Sequence, residues 1–271
     1  MCGVRKSVPE RGHTVLKATF LGTGTSSGIP IIGCDCEVCT SRDPRDRRRR
    51  TSLFVETAGQ HLLVDTPPDF REQALAYKVP RVDAVFFTHS HADHIFGFDD
   101  IRRYNTMQQQ VIPAYAGEAT LQDLRRVFNY ISTEREAGYY RPQIEYRPMD
   151  GPVQLGDVTV EPLPVVHGRQ PVNGFLFTTA GVRLAYVPDC KIIPEETLER
   201  MRGVDVMVLD CLRHRQHATH MTVEECLAYL ERIGAVRSYL IHMCHELSHA
   251  TLEASLPENI RVAYDGLVIE C

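Results

Sequence analysis

Residues 88–94 read THSHADH and follow the apolar run VDAVFFT, residues 82–88. A nearly continuous apolar run of this length marks a strand buried on both faces. His89, His91, Asp93 and His94 thus form H-x-H-x-D-H just past the end of a buried strand. A loop there can turn several side chains onto one point without breaking pairing inside the sheet. Imidazole combined with carboxylate suits Zn²⁺, Mn²⁺ or Fe²⁺ rather than Ca²⁺.

Outward from this loop, donor residues recur at other strand ends. His167 follows EPLPVV, Asp189 follows RLAYVP, and His242 follows SYLI. Any one of them alone would read as an ordinary polar residue; their recurrence sets them apart.

The remaining pattern gives the architecture. LKATFL (16–21) reads as a strand, SLFVET and HLLVDT as a hairpin about AGQ, and DFREQALAYK as a short helix. IFGFDDIRRY and ATLQDLRRVFNYI have helical spacing. VQLGDVTVEPLPV and GFLFTTAGVRLAYVPD return to strands, IPEETLERM is a helix, VDVMVLD and SYLIHMCH are buried strands, and VEECLAYLERIG is a helix closed by glycine. Hairpins, buried strands and covering helices in both halves predict two mixed sheets packed face to face with helices outside, a four-layer αββα sandwich. No linker divides the chain, so residues 15–271 are expected to form a single domain behind an N-terminal extension, 1–14. The loop GTGTSSG lacks the G-K-[ST] of a phosphate-binding loop, and no helical pattern opens behind it.

The chain has 271 residues, an apolar fraction of 43%, a charged fraction of 24% and a net charge of −5. That charge argues against general nucleic-acid binding. No apolar run nears the roughly 20 residues of a membrane span, and no secretory signal is legible, so a cytoplasmic location without membrane association is expected. RDPRDRRRR (42–50) holds six arginines and is expected as a solvated face, with an anionic ligand as the other reading. Tyr139, Tyr140, Arg141, Tyr146 and Arg147 suggest either an arm over a site or a plain surface connection. Cys190, Cys211, Cys226 and Cys244 sit in or beside apolar stretches and read as buried hydrophobes. GCDCEVC (33–39) groups Cys34, Cys36 and Cys39, whose spacing admits a redox pair, a disulfide or part of a metal knot.

These motifs together resemble the metallo-β-lactamase fold superfamily, whose hallmark is H-x-H-x-D-H. The resemblance runs from about Ala18 to the C-terminus. It is nearest to the PhnP-like phosphodiesterase branch, whose members act on phosphoribosyl cyclic phosphate. LGTGTSSGIPIIGCDCEVC, the LDC before His220, IHMCH and AYDGLVIE carry that likeness. It implies a binuclear centre of two divalent metals, Zn²⁺ or Mn²⁺. His89, His91 and His167 would hold one, Asp93, His94 and His242 the other, and Asp189 would bridge them. Hydroxide shared between the metals would attack a small or cyclic phosphodiester. The resemblance also implies that His220 contacts the phosphate and acts as general acid, so His220, Asp93 and Asp189 are the expected catalytic residues. His214 and His217 are expected as surface histidines. Asp65 would orient a ligating imidazole from behind. One structural Zn²⁺ would sit on Cys34, Cys36, Cys39 and His245, with Cys244 and His249 as lesser substitutes.

Three rivals share the fold: a tRNA 3′-processing nuclease, which would need a basic arm; a thioester or lactone hydrolase, which would not need the cysteines; and a β-lactamase, normally secreted. A fourth, of another class, is a non-hydrolytic metal-dependent accessory protein of cofactor biosynthesis. A small-molecule phosphodiester is the expected partner, and the sequence leaves homodimer formation open.

Overall fold

The computed structural model describes residues 16–131 and 140–271; the expected extension 1–14 and Tyr139 lie outside them. The first half runs β1 (Lys17–Gly22), β2 (Ser52–Thr57), β3 (Gln60–Val64), α1 (Phe70–Ala76), β4 (Ala84–Phe86), α2 (Ala92–Ile95), α3 (Ile101–Gln108), β5 (Ile112–Ala116), α4 (Glu118–Val127) and β6 (Ile144–Pro148). The second half runs β7 (Val153–Leu155), β8 (Val158–His167), β9 (Gln170–Thr179), β10 (Val182–Val187), α5 (Glu195–Met201), β11 (Val206–Asp210), α6 (Val223–Ile233), β12 (Arg237–Ile241), α7 (His249–Ser255) and β13 (Ile260–Val262). A last strand, β14 (Val268–Glu270), returns to pair with β1.

The strands form two seven-stranded sheets, ordered β14-β1-β2-β3-β4-β5-β6 and β13-β12-β11-β10-β9-β8-β7. Each sheet is antiparallel at one end and parallel at the other, changing at β3–β4 in the first and at β10–β11 in the second.

Three apolar cores make four layers. Between the sheets pack Phe20, Phe86, Phe175, Phe177, Tyr186 and Ile241, with the Phe86 and Phe175 rings 5.4 Å apart. Leu63, Phe87, Ile101, Leu121 and Leu124 join the first sheet to its helices, and Met207, Leu209, Cys226 and Leu230 join the second to its own. α6 illustrates the local logic. Val223, Cys226, Leu230 and Ile233 form its buried stripe, Thr222 and Glu225 close a capping box at its start, and Gly234 ends it at φ 64°. The expected αββα sandwich is the observed one. Cys190, Cys211, Cys226 and Cys244 are all buried, as expected.

The arginine run departs from expectation. Residues 46–50 are not simply a solvated face, because Arg48 is only 2% exposed and Asp46 only 4%. The segment bridges to Gly24 and Ile29 in extended form, and extended backbone sends alternate side chains to opposite sides. Arg48 therefore turns inward and donates to Thr23 Oγ1 (2.8 Å) and the Ala263 carbonyl (2.6 Å), with His249 Nδ1 3.2 Å away. Burial lowers its pKa to about 10 despite nearby carboxylates. Arg50 pairs with Asp69 at 3.0 Å and Arg45 with Asp43 at 2.7 Å, so these cations are committed to the fold. The glycine-rich loop serves the same junction: a Cβ on Gly22 would stand 2.0 Å from the Arg50 carbonyl oxygen.

The tyrosine- and arginine-rich segment also resolves. Tyr146 and Arg147 lie in β6, an edge strand, where Arg147 donates to Tyr115 Oη at 3.0 Å. Tyr140 is exposed, with the Arg102 guanidinium 5.1 Å from its ring centre.

Candidate metal centre

The donor residues come from the ends of strands in both sheets. Past β4, the His91 backbone is extended and α2 begins at Ala92, which sets Asp93 and His94 on one short helical turn. His167 is the last residue of β8, Asp189 follows β10, and His242 follows β12. His242 (φ 63°) and Asp65 (φ 59°) both take the left-handed conformation, which disfavours a branched Cβ and persists where surroundings fix it.

Two triads of donor atoms result, His89–His91–His167 and Asp93–His94–His242, each with its atoms within 4.8 Å of one another. Asp189 lies between them. Its Oδ1 is 3.2 Å from His94 Nε2, and its Oδ2 is 3.4 Å from His242 Nε2, 3.8 Å from His167 Nε2 and 3.9 Å from His89 Nε2. All these residues are buried except His91, which is partly exposed.

Outer partners decide which ring nitrogens face the centre. Asp65 Oδ2 lies 2.7 Å from His94 Nδ1, and the Thr219 carbonyl lies 2.8 Å from His167 Nδ1. Both rings then carry the proton on Nδ1 and present the Nε2 lone pair inward. Thr88 secures Asp65 in turn, through its N–H (2.9 Å) and its hydroxyl (2.8 Å).

The residues fit a divalent metal on their own chemistry. Among the described residues, His94 Nε2, His242 Nε2 and Asp189 Oδ1 are buried without a well-aligned hydrogen-bond partner, which costs free energy unless a cation meets them. Burial drives His89, His91 and His167 toward the neutral, ligating form. Burial also opposes charge on Asp189, yet His242, His94 and His89 hold its carboxyl well below the usual range. A negative, desolvated cradle lined by imidazole lone pairs is suited to a transition-metal dication.

His220 stands beside this set, its ring centre 4.5 Å from those of both His167 and His242. Its Nδ1 lies 2.8 Å from Asp210 Oδ2, and its Nε2 faces Asp189 at 4.0 Å. Burial works against charge on this ring, but the Asp210 carboxylate prevails and raises its pKa to about 9. Asp210 is also fixed by the N–H of Cys190 at 2.8 Å. Asp210 is not among the residues expected from the sequence, although it is the middle residue of the LDC that precedes His220. His214 pairs with Glu224 at the surface, as expected. His217 does not fit that description: it is partly buried, 5.1 Å from His220 between ring centres.

The cysteine cluster forms a second group. The sulfurs of Cys34, Cys36 and Cys39 lie 3.3, 3.4 and 3.7 Å from His245 Nδ1. The Cys39 N–H donates to Cys36 Sγ and is the chief cause holding that thiol down at about 6. Three sulfurs and one imidazole match a closed tetrahedral zinc site. Neither substitute joins them: His249 Nδ1 faces Arg48, and Cys244 Sγ accepts from the Glu246 N–H.

A β-lactamase superfamily domain model matches residues 60–243. A solved diphosphatase from the PhnP family is 39% identical, with a TM-score of 0.87 over 95% of this chain and 97% of that one. The chain belongs to the PhnP family. By family it is a hydrolase of the metallo-β-lactamase fold. Other likenesses are of different weight for this PhnP-family chain. An octanoyltransferase of Porphyromonas gingivalis is 37% identical over 93% of the chain, which spans about half, 51%, of that protein's length. Coenzyme PQQ synthesis protein B of Methylobacterium nodulans is 29% identical over 72% of each. Zn²⁺-bound PqqB from Methylobacterium extorquens, 21% identical with a TM-score of 0.76, shares the fold.

Proposed function

We propose that the protein is a metal-dependent phosphodiesterase acting on a small or cyclic phosphodiester. The 39% likeness to a PhnP-family diphosphatase, over 95% of this chain and 97% of that one, carries this reading, because that protein is named for phosphoryl chemistry and this chain places the candidate donors on the same fold. Two divalent metals, Zn²⁺ or Mn²⁺, would be held by His89, His91 and His167 and by Asp93, His94 and His242, with Asp189 shared. When bound, they would supply Lewis-acid stabilisation of phosphoryl charge and lower the pKa of water. A structural Zn²⁺ on Cys34, Cys36, Cys39 and His245 would pin the loop after β1 to the segment that bears His242.

The chain's own residues do the rest. Asp65 and the Thr219 carbonyl orient His94 and His167. Asp210 binds His220 Nδ1–H, leaving Nε2–H to donate a proton to the departing oxygen. The octanoyltransferase likeness spans about half of that protein and does not say which half bears the named activity. The PQQ synthesis likeness favours a non-hydrolytic accessory role as the second reading. Assaying purified protein with Mn²⁺ or Zn²⁺ against bis(p-nitrophenyl) phosphate, small cyclic phosphodiesters, a thioester and nitrocefin separates these readings. Diester cleavage alone is expected, and no turnover of any substrate would leave the accessory role standing.

A further inference from the structure

His217 lies outside the donor groups, yet its ring is held in a defined orientation. The backbone N–H of Thr219 donates to its Nδ1 at 3.3 Å, and the Thr219 hydroxyl lies 3.2 Å from the same atom. An amide N–H can only donate, so Nδ1 carries the lone pair and the neutral ring carries its proton on Nε2. Burial and the neighbouring positive charges of His220 and Arg213 favour that neutral ring. Among the described residues Nε2 has no protein partner, and the ring is partly open to solvent. Thr219 thus orients two imidazoles from its backbone: its carbonyl fixes His167 within the donor group, and its N–H fixes His217 outside it.

The rings adjoin one another: His167, His242 and His217 lie 4.5, 4.5 and 5.1 Å from His220 between ring centres. A group engaged by His220 at its ester oxygen would therefore lie one ring away from a fixed N–H donor that has no partner among the described residues.

We propose that His217 is a specificity-determining residue whose Nε2–H donates to an acceptor oxygen on the leaving alcohol, beyond the ester oxygen that His220 serves. This rests on the phosphodiesterase reading and adds to it the residue that tells a polyol leaving group from a simple alcohol. A neutral N–H donor left facing a methyl group loses its hydrogen bond, a difference of about tenfold.

The test compares glycerol 1,2-cyclic phosphate with propane-1,2-diol cyclic phosphate, which differ by one hydroxyl. Wild type should prefer the glycerol compound about tenfold in kcat/KM, chiefly through KM. His217→Ala should collapse that ratio toward one, and His217→Gln, whose amide nitrogen can stand near the Nε2 position, should restore part of it. An equal ratio in wild type and His217→Ala would overturn the proposal, whether both rates fall together or neither does. If wild type cleaves neither these compounds nor bis(p-nitrophenyl) phosphate, the phosphodiesterase reading fails. Calorimetric titration with glycerol 1-phosphate then decides His217 alone: a tenfold weaker Kd in the variant upholds the contact, and equal affinities overturn it.

Discussion

Asp65 and His94 form a fully buried pair, with Oδ2 2.7 Å from Nδ1, in which the carboxylate sets the direction of an imidazole whose other nitrogen, Nε2, faces the candidate metal centre. Removing such an outer partner typically weakens metal affinity roughly 10- to 100-fold. Asp65→Asn should therefore lower metal affinity by that order while leaving His94 in place, as read by competition with a chelating dye. Unchanged affinity would show that the pair serves folding only.

Asp189→Ala and His91→Ala should each lose metal and nearly all hydrolysis. Asp189 lies within 4.0 Å of five histidines, counting its contact to His220. Metal analysis alongside diester turnover checks this, and wild-type turnover in either variant would refute the assignment.

His220→Ala should keep its metal and slow turnover about 10²-fold, the low end for a general acid. Asp210→Asn should give part of that loss. The double variant should be no slower than His220→Ala alone, because Asp210 acts through His220. Additive losses would detach Asp210 from that role.

Cys36→Ser should release one zinc per chain and lower the melting temperature by roughly 5 °C or more, while leaving the other donor residues intact. Full zinc content with unchanged melting would defeat the cysteine–histidine site.

Acid should weaken the fold partly through His249. Burial, reinforced by Arg48 and Arg45, lowers its pKa to about 4, against the opposing pull of Glu253 and Asp43. The folded value lies below the free value of about 6.5. Its contribution is thus whole above that pH and is lost as the pH falls toward 4, about 1 to 2 kcal/mol. Denaturant unfolding should show a shallower decline over this window in His249→Asn than in wild type.

The donor positions were legible because each follows an apolar run that can only be a buried strand. VDAVFF, EPLPVV, RLAYVP and SYLI all end at or near a residue of the centre. What escaped was partnership across the fold. Asp210 ends VDVMVLD, read only as a buried strand, and nothing local reveals that its carboxylate meets His220 ten residues later. Arg48 could not be told from its exposed neighbours, since an arginine run has no apolar period to mark the inward member. β5 and β6 were missed because IPAYA and IEYRP each contain a proline, and β6 is half open to solvent as an edge.

The candidate donors divide between the two sheets. β4 belongs to one sheet, while β8, β10 and β12 belong to the other. Each donor triad takes members from both: His167 joins two residues that follow β4, and His242 joins two more. Neither sheet assembles either of these two triads by itself. A cation bound there would act as a rivet through the seam between the sheets, and by linkage its binding energy would be added to their cohesion. Stripping it should loosen the whole sandwich rather than only its rim.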